Sequence, residues 1–267
     1  MSEHLSGYDR VRYLRHLVIP ELGEGGQDKL RAAGVLVVGV GGLGSPCLLY
    51  LAAAGVGRLG IVDFDVVELS NLQRQIIHTT DDIGRDKTVS AAEKIAALNP
   101  EVEVVRHQVH LDAGTVEGLI DPYDIVVTAV DNLPSRFLLN DACVLARKTL
   151  VEGAILRFVG LAMTIKGGES ACYRCLFPEP PAPGALLSPA EAGVFGPVPG
   201  VIGAIQATEV IKLLTGIGRP LTGRLLQYDA LEMTFDEVSI ARDPACPVCG
   251  EHPVITNVRQ SAESVGL

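Results

Sequence analysis

The feature that most constrains the fold is a short apolar segment that runs into a glycine-rich turn and then into an apolar helix. Residues 35–38 read Val-Leu-Val-Val without a charge, which is typical of a buried parallel strand. Ser45 is expected to cap the helix and Pro46 to occupy its first position. A turn of this kind lets a phosphate approach the backbone amides at the helix N-terminus. Its glycines are Gly39, Gly41, Gly42 and Gly44.

Acidic and basic residues after the second strand indicate which type of nucleotide the turn could bind. Residues 59–62 form another apolar segment, and Asp63 follows Gly41 by 22 residues, about the spacing at which an acid reaches a ribose. A tight turn without a ligand, a dinucleotide site for NAD or FAD and a triphosphate site are the three interpretations. Arg74 and Lys87 favour the triphosphate, because its phosphate oxygens must be neutralised together.

A set of motifs spread over residues 39–132 carries a family resemblance. They are Gly39-x-Gly41-Gly42-x-Gly44, Asp63-Phe64-Asp65, Ser70-Asn71-Leu72-Gln73-Arg74-Gln75, Lys87 and Asp131-Asn132. Together they resemble the adenylation signature of the ubiquitin-activating-enzyme-like superfamily, in particular the MoeB-like branch of the bacterial MoeB/ThiF/HesA adenylyltransferases. The resemblance extends from about Arg12 to Gly250. It implies that ATP activates the C-terminal Gly-Gly carboxylate of a ubiquitin-fold sulfur-carrier protein as an acyl-adenylate, with release of pyrophosphate.

The resemblance also implies a role for each site residue. Arg74, Lys87 and Arg15 would balance phosphate charge, and Asp63 would bind the ribose hydroxyls. Asp131 would ligate Mg²⁺, which prefers carboxylate oxygen. The other residues expected to bind ATP are Gly41, Gly42, Gly44, Asp65, Ser70, Asn71, Leu72, Gln73 and Asn132.

Two of these residues have a simpler interpretation. Arg15 lies in residues 8–26, which could form a solvated N-terminal helix; in the family, an arginine of the Arg-Tyr-x-Arg segment reaches the ATP site of the partner subunit, which requires a homodimer. Asp131 could instead cap the helix predicted to begin near Pro134.

Four of the six cysteines form two C-x-x-C knuckles. Two knuckles offer four thiolates, a tetrahedral set that suits Zn²⁺ and leaves no open coordination position, so the site would be structural. A redox motif and a disulfide framework are the alternatives, and the second is disfavoured in a cytosolic chain. Cys47 and Cys143 stand alone and are expected to be core residues. The knuckle cysteines are Cys172, Cys175, Cys246 and Cys249.

Residues 178–199 contain seven of the sixteen prolines and are expected to form a long loop. In the family this crossover loop covers the extended tail of the carrier, and many members have a cysteine where this chain has Pro189. A thioester or acyl-disulfide step through the loop is therefore not expected here. No sulfurtransferase domain is expected after Cys249, so a separate sulfurtransferase or cysteine desulfurase would supply the sulfur.

The overall composition restricts the partners and the architecture. A net charge of −10 and the absence of tryptophan argue against binding to nucleic acid or an anionic membrane. The N-terminus has no signal-peptide pattern and no apolar stretch is expected to span a bilayer, so a cytoplasmic protein is predicted. The predicted fold is α/β: a Rossmann-like parallel sheet with flanking helices, continued by antiparallel strands in the C-terminal half. Residues 1–267 would form a single adenylation domain, with a nucleotide-binding half at about 27–150 and a zinc-knuckle, carrier-binding half at about 151–250.

Three other functions share parts of this pattern. An NAD-dependent oxidoreductase would use the same glycine turn. A tRNA threonylcarbamoyladenosine dehydratase would also use ATP, but the zinc knuckles and the lack of excess basic residues count against it. A non-catalytic scaffold for a ubiquitin-like protein would not need Arg74, Lys87 and Asp131 together. The sequence does not distinguish molybdopterin, thiamin and tRNA-thiolation pathways.

Overall fold

A computed structural model describes residues 5–181 and 189–267. Its centre is a single eight-stranded sheet. In chain order the strands are β1 Gly34–Val38, β2 Arg58–Val62, β3 Glu103–His107, β4 Ile125–Thr128, β5 Thr149–Leu156, β6 Val159–Lys166, β7 Arg224–Asp229 and β8 Thr234–Ser239. The spatial order is β3-β2-β1-β4-β5-β6-β7-β8.

The sheet changes character at β5. Strands β1 to β5 are all parallel, and β5 to β8 pair antiparallel. β1 pairs with β2 on one side and β4 on the other, so the strand order reverses there and leaves a crevice at the carboxyl ends. The predicted fold class is confirmed.

Helices cover both faces of the sheet. They are α1 Gly7–Arg12, α2 Leu14–Leu17, α3 Gly23–Ala32, α4 Gly44–Ala54, α5 Lys87–Leu98, α6 Val116–Ile120, α7 Leu133–Leu145, α8 Tyr173–Leu176, α9 Pro189–Ala192, α10 Pro197–Thr215 and α11 Val258–Val265, with 3₁₀ turns at Leu69–Asn71 and Thr80–Asp82. All five β1 residues are buried because apolar layers lie on both sides. Val35 and Val37 pack with α4, α5 and α10, and Leu36 and Val38 with α6, α7 and α11.

One helix start differs from the prediction, and a second helix lacks a side-chain cap. α4 begins at Gly44, so Ser45 is not its N-cap; the Ser45 hydroxyl donates to the Gly41 carbonyl oxygen at 2.6 Å and closes the glycine turn instead. Asp86 precedes α5, but its side chain makes no capping hydrogen bond. In both places the chain arrives from a tight turn, whose geometry decides where the helix begins.

Helix α10 begins at Pro197, within the predicted loop 178–199, with proline in the first turn. Of that loop, residues 182–188 lie outside the described residues. By length and composition α10 could cross a membrane, but half of that stretch is buried inside the fold, as in the core helix of a globular protein. Its Glu209 is buried and accepts from Thr164 Oγ1 at 2.7 Å and Leu221 N at 2.6 Å.

Candidate nucleotide site and cysteine cluster

A cleft opens at the carboxyl ends of β1, β2 and β4, where the strand order reverses. β1 leads into the glycine turn at the rim, and the loops after β2 and β4 place Asp63 and Asp131 there. The cleft therefore brings together most of the predicted site. The predicted residues that line it are Gly41, Gly42, Asp63, Asp65, Arg74, Lys87, Asp131 and Asn132.

The glycines of the turn serve two different purposes. Gly39 has φ +100°, and a Cβ there would lie 2.4 Å from the Ala129 carbonyl oxygen. A Cβ at Gly44 would lie 2.0 Å from the Gly39 carbonyl oxygen, so both glycines are required by the close packing of the turn. Gly41 and Gly42 instead face the cleft and leave the backbone accessible there.

Asp63 braces the glycine turn from the end of β2. Its carboxylate accepts from Val40 N at 2.8 Å and from Asp65 N at 2.9 Å. Burial raises the pKa of Asp63, and the nearby Lys87 and the two backbone donors oppose this rise. The carboxylate is thus fixed at the edge of the cleft, and its contact with a ribose stays a prediction.

Two cations, Lys87 and Arg74, line the cleft. Lys87 is the first residue of α5, is 6% exposed and donates to Asp65 Oδ2 at 2.9 Å. Arg74 donates to the Ser70 carbonyl oxygen at 3.1 Å. A lysine at a helix N-terminus opposes the helix dipole, and Asp65 offsets that charge. An incoming polyphosphate would find both cations already held in place.

The segment that leads into α5 is held in place by the buried Asp82, which is 1% exposed. Its carboxylate accepts from Thr79, Arg85 and Lys94. Burial alone would raise the pKa of Asp82, but the hydrogen bonds from Lys94 and Thr79 hold it below its usual range. This depressed pKa stabilises the fold above the unfolded-state pKa of about 3.9, and the stabilisation is lost as the pH falls through the folded-state pKa.

Asp82→Asn is therefore expected to lower the free energy of unfolding by about 3 kcal/mol, because it removes a buried charge on which the half-buried Lys94 and Arg85 converge, and only Arg85 keeps a second anion, Glu93. Urea unfolding at pH 7 measures this. Asp81→Asn, at the exposed neighbouring residue, is the matched control and should change stability by less than about 0.5 kcal/mol. Equal effects of the two substitutions would contradict this role of Asp82.

Part of the predicted motif does not line the cleft. Ser70, Leu72 and Gln73 lie outside its lining, and Asn71 is buried in the 3₁₀ turn, where its Oδ1 accepts from Glu68 N at 3.2 Å. Their roles toward ATP stay predictions. Gln75 lines the cleft although it was not predicted as a site residue; it is buried, and its Oε1 has no partner among the described residues.

In the loop after β4, the residue that caps the helix and the candidate metal ligand are two different residues. Asn132 is the N-cap of α7, and its Oδ1 accepts from Ser135 N at 2.9 Å. The capping interpretation of Asp131 is therefore wrong, and its exposed carboxylate remains at the cleft. A carboxylate in this position is available to a hard cation such as Mg²⁺.

The structure brings the four knuckle cysteines into one cluster. All four sulfurs lie within 4.8 Å of one another, with 3.6 Å between Cys172 and Cys246 and 3.4 Å between Cys175 and Cys249. A tetrahedral Zn²⁺ site with Zn–S bonds of about 2.3 Å has sulfur–sulfur edges of about 3.8 Å. Backbone N–H groups of Cys172 and Asp243 point at Cys175 Sγ at 3.4 Å, as they would toward a thiolate. The cluster fits a zinc ion.

A buried ion pair anchors the first knuckle. Arg174, between its two cysteines, donates to both carboxylate oxygens of Asp141 through Nε at 2.9 Å. Asp141 also accepts from Ser261 Oγ at 2.6 Å, and Arg174 Nη2 donates to Ser264 Oγ at 2.8 Å. Both serines lie on α11, so the C-terminal helix, α7 and the cysteine cluster are held as one unit.

Comparison with known proteins agrees with this geometry, since residues 13–248 match the ThiF family. The chain belongs to the ThiF family. It is 51% identical to the sulfur carrier protein adenylyltransferase of Thermus thermophilus, over 91% of each chain. It is 50% identical to the SAMP-activating enzyme E1 of Haloferax volcanii, over 94% of this chain and 93% of that protein.

The fold is also similar to that of E. coli MccB. A crystal structure of MccB with MccA-N7isoASN superposes with a TM-score of 0.80 at 25% identity, covering 90% of this chain and 74% of MccB. The structure of MccB with ATP gives a TM-score of 0.76 at 25% identity, covering 85% and 68%. The predicted family is thus confirmed by both sequence and fold.

A second, mainly apolar cavity adjoins the cleft of this ThiF-family chain. Phe158, Phe177 and Leu231 are among its lining residues, and all three are exposed. The residues that line both the cleft and this cavity are Asp131, Asn132, Arg136 and Ile155. Arg136 and Glu152, which also lines the cavity, were not predicted from the sequence.

Arg15 is placed away from this site. It lies exposed on α2 and does not line the cleft of its own chain. Its neighbour Arg12 is engaged within the chain, through the Leu98 carbonyl oxygen and the Tyr8 hydroxyl. A role for Arg15 in the nucleotide site would therefore have to be in the site of another copy.

Proposed function

We propose that this chain is an ATP-dependent adenylyltransferase that activates the C-terminal carboxylate of a ubiquitin-like sulfur-carrier protein. The observation that carries the proposal is the junction of two cavities: a cleft with Arg74, Lys87 and Asp131 opens onto an apolar cavity that could admit a protein tail. The relatives named for this activity are about 50% identical over most of both chains, which supports the same assignment.

The reaction needs little proton chemistry. A C-terminal carboxyl has a pKa of roughly 3.3–3.7 and is already ionised at neutral pH, so no general base is required. One carboxylate oxygen attacks the α-phosphorus of ATP, the bond from that phosphorus to the bridging oxygen breaks, and pyrophosphate leaves. The obstacle is the approach of an anion to a polyanion, which fixed positive charge reduces.

The residues of the cleft meet that requirement. Lys87 and Arg74 would hold phosphate oxygens, and the amides of the glycine turn would approach them from below. Asp131 would hold Mg²⁺, which when bound supplies further positive charge at the phosphates. Asp63 would orient the ribose, and Gln75, with its unsatisfied Oε1, is a further candidate for contact with the nucleotide.

The carrier tail would reach the cleft through the apolar cavity. The described end of the crossover loop is attached beside this cavity: Arg157, which lines it, donates through N to the Gly193 carbonyl oxygen at 3.2 Å, and Phe195 N donates to the Arg157 carbonyl oxygen at 3.0 Å. An extended chain that ends in two glycines suits a narrow passage, because glycine has no side chain. Pro189 replaces the cysteine of many relatives, which supports a reaction that stops at the adenylate.

The direct test is ATP–pyrophosphate exchange with purified sulfur-carrier proteins that end in Gly-Gly. Incorporation of labelled pyrophosphate into ATP only when a carrier is present would support the proposal and identify the carrier. Exchange with several carriers would indicate a shared activator for more than one pathway. A protein that binds ATP but exchanges with no carrier would overturn it.

Arg15 provides a test of the proposed homodimer. If Arg15 acts in the partner's cleft, Arg15→Ala and Lys87→Ala chains are each inactive, but their heterodimer contains one intact site. Heterodimers purified through two different tags should recover about half of the wild-type exchange rate, since one of the two sites related by the dimer axis is restored. A dimer of two Lys87→Ala chains is the control. A heterodimer as inactive as its parents would place Arg15 outside the partner's site.

The remaining assignments follow from this proposal. The cysteine cluster would hold a structural Zn²⁺, because four thiolates leave no position for a substrate. A separate sulfurtransferase or cysteine desulfurase would convert the adenylate to a thiocarboxylate. Reduced thiols and ATP are both characteristic of the cytoplasm, where we expect the protein to act.

A further inference from the structure

Arg136 occupies an unusual position between the two cavities. It is 5% exposed and is the one cation, among the residues that the structure describes, that lines both the cleft and the apolar cavity. Its Nη1 donates to the Gly153 carbonyl oxygen at 2.8 Å and its Nη2 to the Val130 carbonyl oxygen at 2.9 Å. These bonds fix the guanidinium at the ends of β4 and β5.

Glu152 is the counter-ion of Arg136. The two side chains form a buried ion pair, and Glu152 is 3% exposed. Oε1 of Glu152 contacts Arg136 Nη1, and within the described part of the chain Oε2 has no partner. A buried carboxylate oxygen without a hydrogen bond is costly, so an acceptor is left available at the wall of the apolar cavity.

The pair also has spare donors. A guanidinium carries five N–H groups, and the contacts with Gly153, Val130 and Glu152 account for three of them within the described residues. The junction therefore presents free N–H donors beside a free carboxylate acceptor. The last residue of a peptide has the complementary pattern, an amide N–H followed by a carboxylate.

We propose that Arg136 and Glu152 recognise the last peptide unit of the carrier tail, with Arg136 donating to the terminal carboxylate and Glu152 accepting the terminal amide N–H. This assignment rests on the proposed function and adds the residues that hold the nucleophile. Arg136 offers positive charge to the carboxylate as it passes from the apolar cavity toward the phosphates, while Glu152 fixes the guanidinium. Because the pair as a whole is neutral, it binds the carboxylate without holding it too tightly to react.

The test compares two forms of one carrier, ending in a carboxylate or in a carboxamide, by their affinity for the protein. Binding is measured with an ATP analogue whose α–β bridge cannot be cleaved. The wild-type protein should bind the carboxylate at least about tenfold more tightly, as expected for a hydrogen bond to a charged group. Arg136→Gln/Glu152→Gln, which removes both charges together, should reduce that preference to less than about twofold.

A single variant and a control pair separate recognition from folding. Glu152→Gln keeps the guanidinium and should keep the preference for the carboxylate. Arg10→Gln/Glu24→Gln removes an exposed ion pair between α1 and α3, away from the cavities, and should behave as wild type. The melting temperature and the affinity for ATP are measured for every variant; a double variant that has lost only recognition should still be folded at the assay temperature and should keep its affinity for ATP.

Three outcomes are distinct. A folded double variant that binds ATP and retains the tenfold preference would overturn the assignment while leaving the proposed function intact. Loss of the preference in the double variant alone would support it. A wild-type protein that neither binds the carrier nor exchanges pyrophosphate would overturn the proposed function itself.

Discussion

Replacing Lys87 with alanine is expected to lower carrier-dependent ATP–pyrophosphate exchange by at least about 100-fold, the typical effect of removing one preorganised charge from a transition state. Lys87 is 6% exposed and lies at the start of α5, where Asp65 holds its ammonium group at 2.9 Å. An alanine would remove the charge and leave Asp65 facing the phosphates. We therefore expect a lower kcat and a weakened affinity for ATP, measured by the exchange rate and by calorimetric titration.

Lys94→Ala is the matched control for this experiment. Lys94 lies on the same helix and is also paired with an aspartate, Asp82, but it does not line the cleft. It should lower stability without changing exchange in the folded protein. Loss of exchange in both variants, or in neither, would contradict the role of Lys87 in the site.

Loss of the metal from the cysteine cluster is expected to have the largest effect on stability. The free energy of binding structural Zn²⁺ is about 10–16 kcal/mol in isolated zinc-finger peptides, and much of it is folding free energy. We expect one Zn²⁺ per chain by elemental analysis. Cys175→Ser should abolish it, lower the melting temperature by more than about 10 °C and expose the second knuckle to proteases, since a loss of several kcal/mol shifts a domain of this size by that much.

Cys143→Ala provides the comparison. Cys143 is buried in α7, away from the cluster, and burial raises the pKa of its thiol above the usual range, so it is inert. This variant should keep its zinc and melt within a few degrees of the wild type. A Cys175→Ser protein that retains full zinc occupancy would show that the metal is bound elsewhere.

Local patterns account for what the sequence analysis predicted correctly. The order of strands and glycines around residues 34–65 is contained in one continuous segment, so no distant contact had to be known. The cysteine cluster was predictable because each knuckle brings two thiols together by itself, and two knuckles together offer the four thiolates of a tetrahedral zinc site. The antiparallel half was expected because its short strands follow one another directly along the chain.

The features that were not predicted concern contacts between distant segments and the geometry of local turns. Arg136 follows the β4 loop in sequence, but its partner Glu152 lies on β5, and only the parallel register of the two strands brings them together. Residues 70–73 were all expected to bind ATP, whereas the 3₁₀ turn buries the side chain of Asn71. Ser45 fits an N-cap by type, yet the helix has already begun at Gly44.

The separation of the two knuckles has a consequence for how the protein is made. Cys246 follows Cys175 by 71 residues, and translation adds about 5–20 residues per second, so the first pair leaves the ribosome roughly 4–14 s before the second. During that interval β1 to β6 are already available to pair, whereas the metal site has only half of its ligands. Under the zinc assignment proposed above, metal capture would therefore follow the synthesis of the nucleotide half, and a shortage of zinc would leave newly made chains with that half complete and the second knuckle unattached.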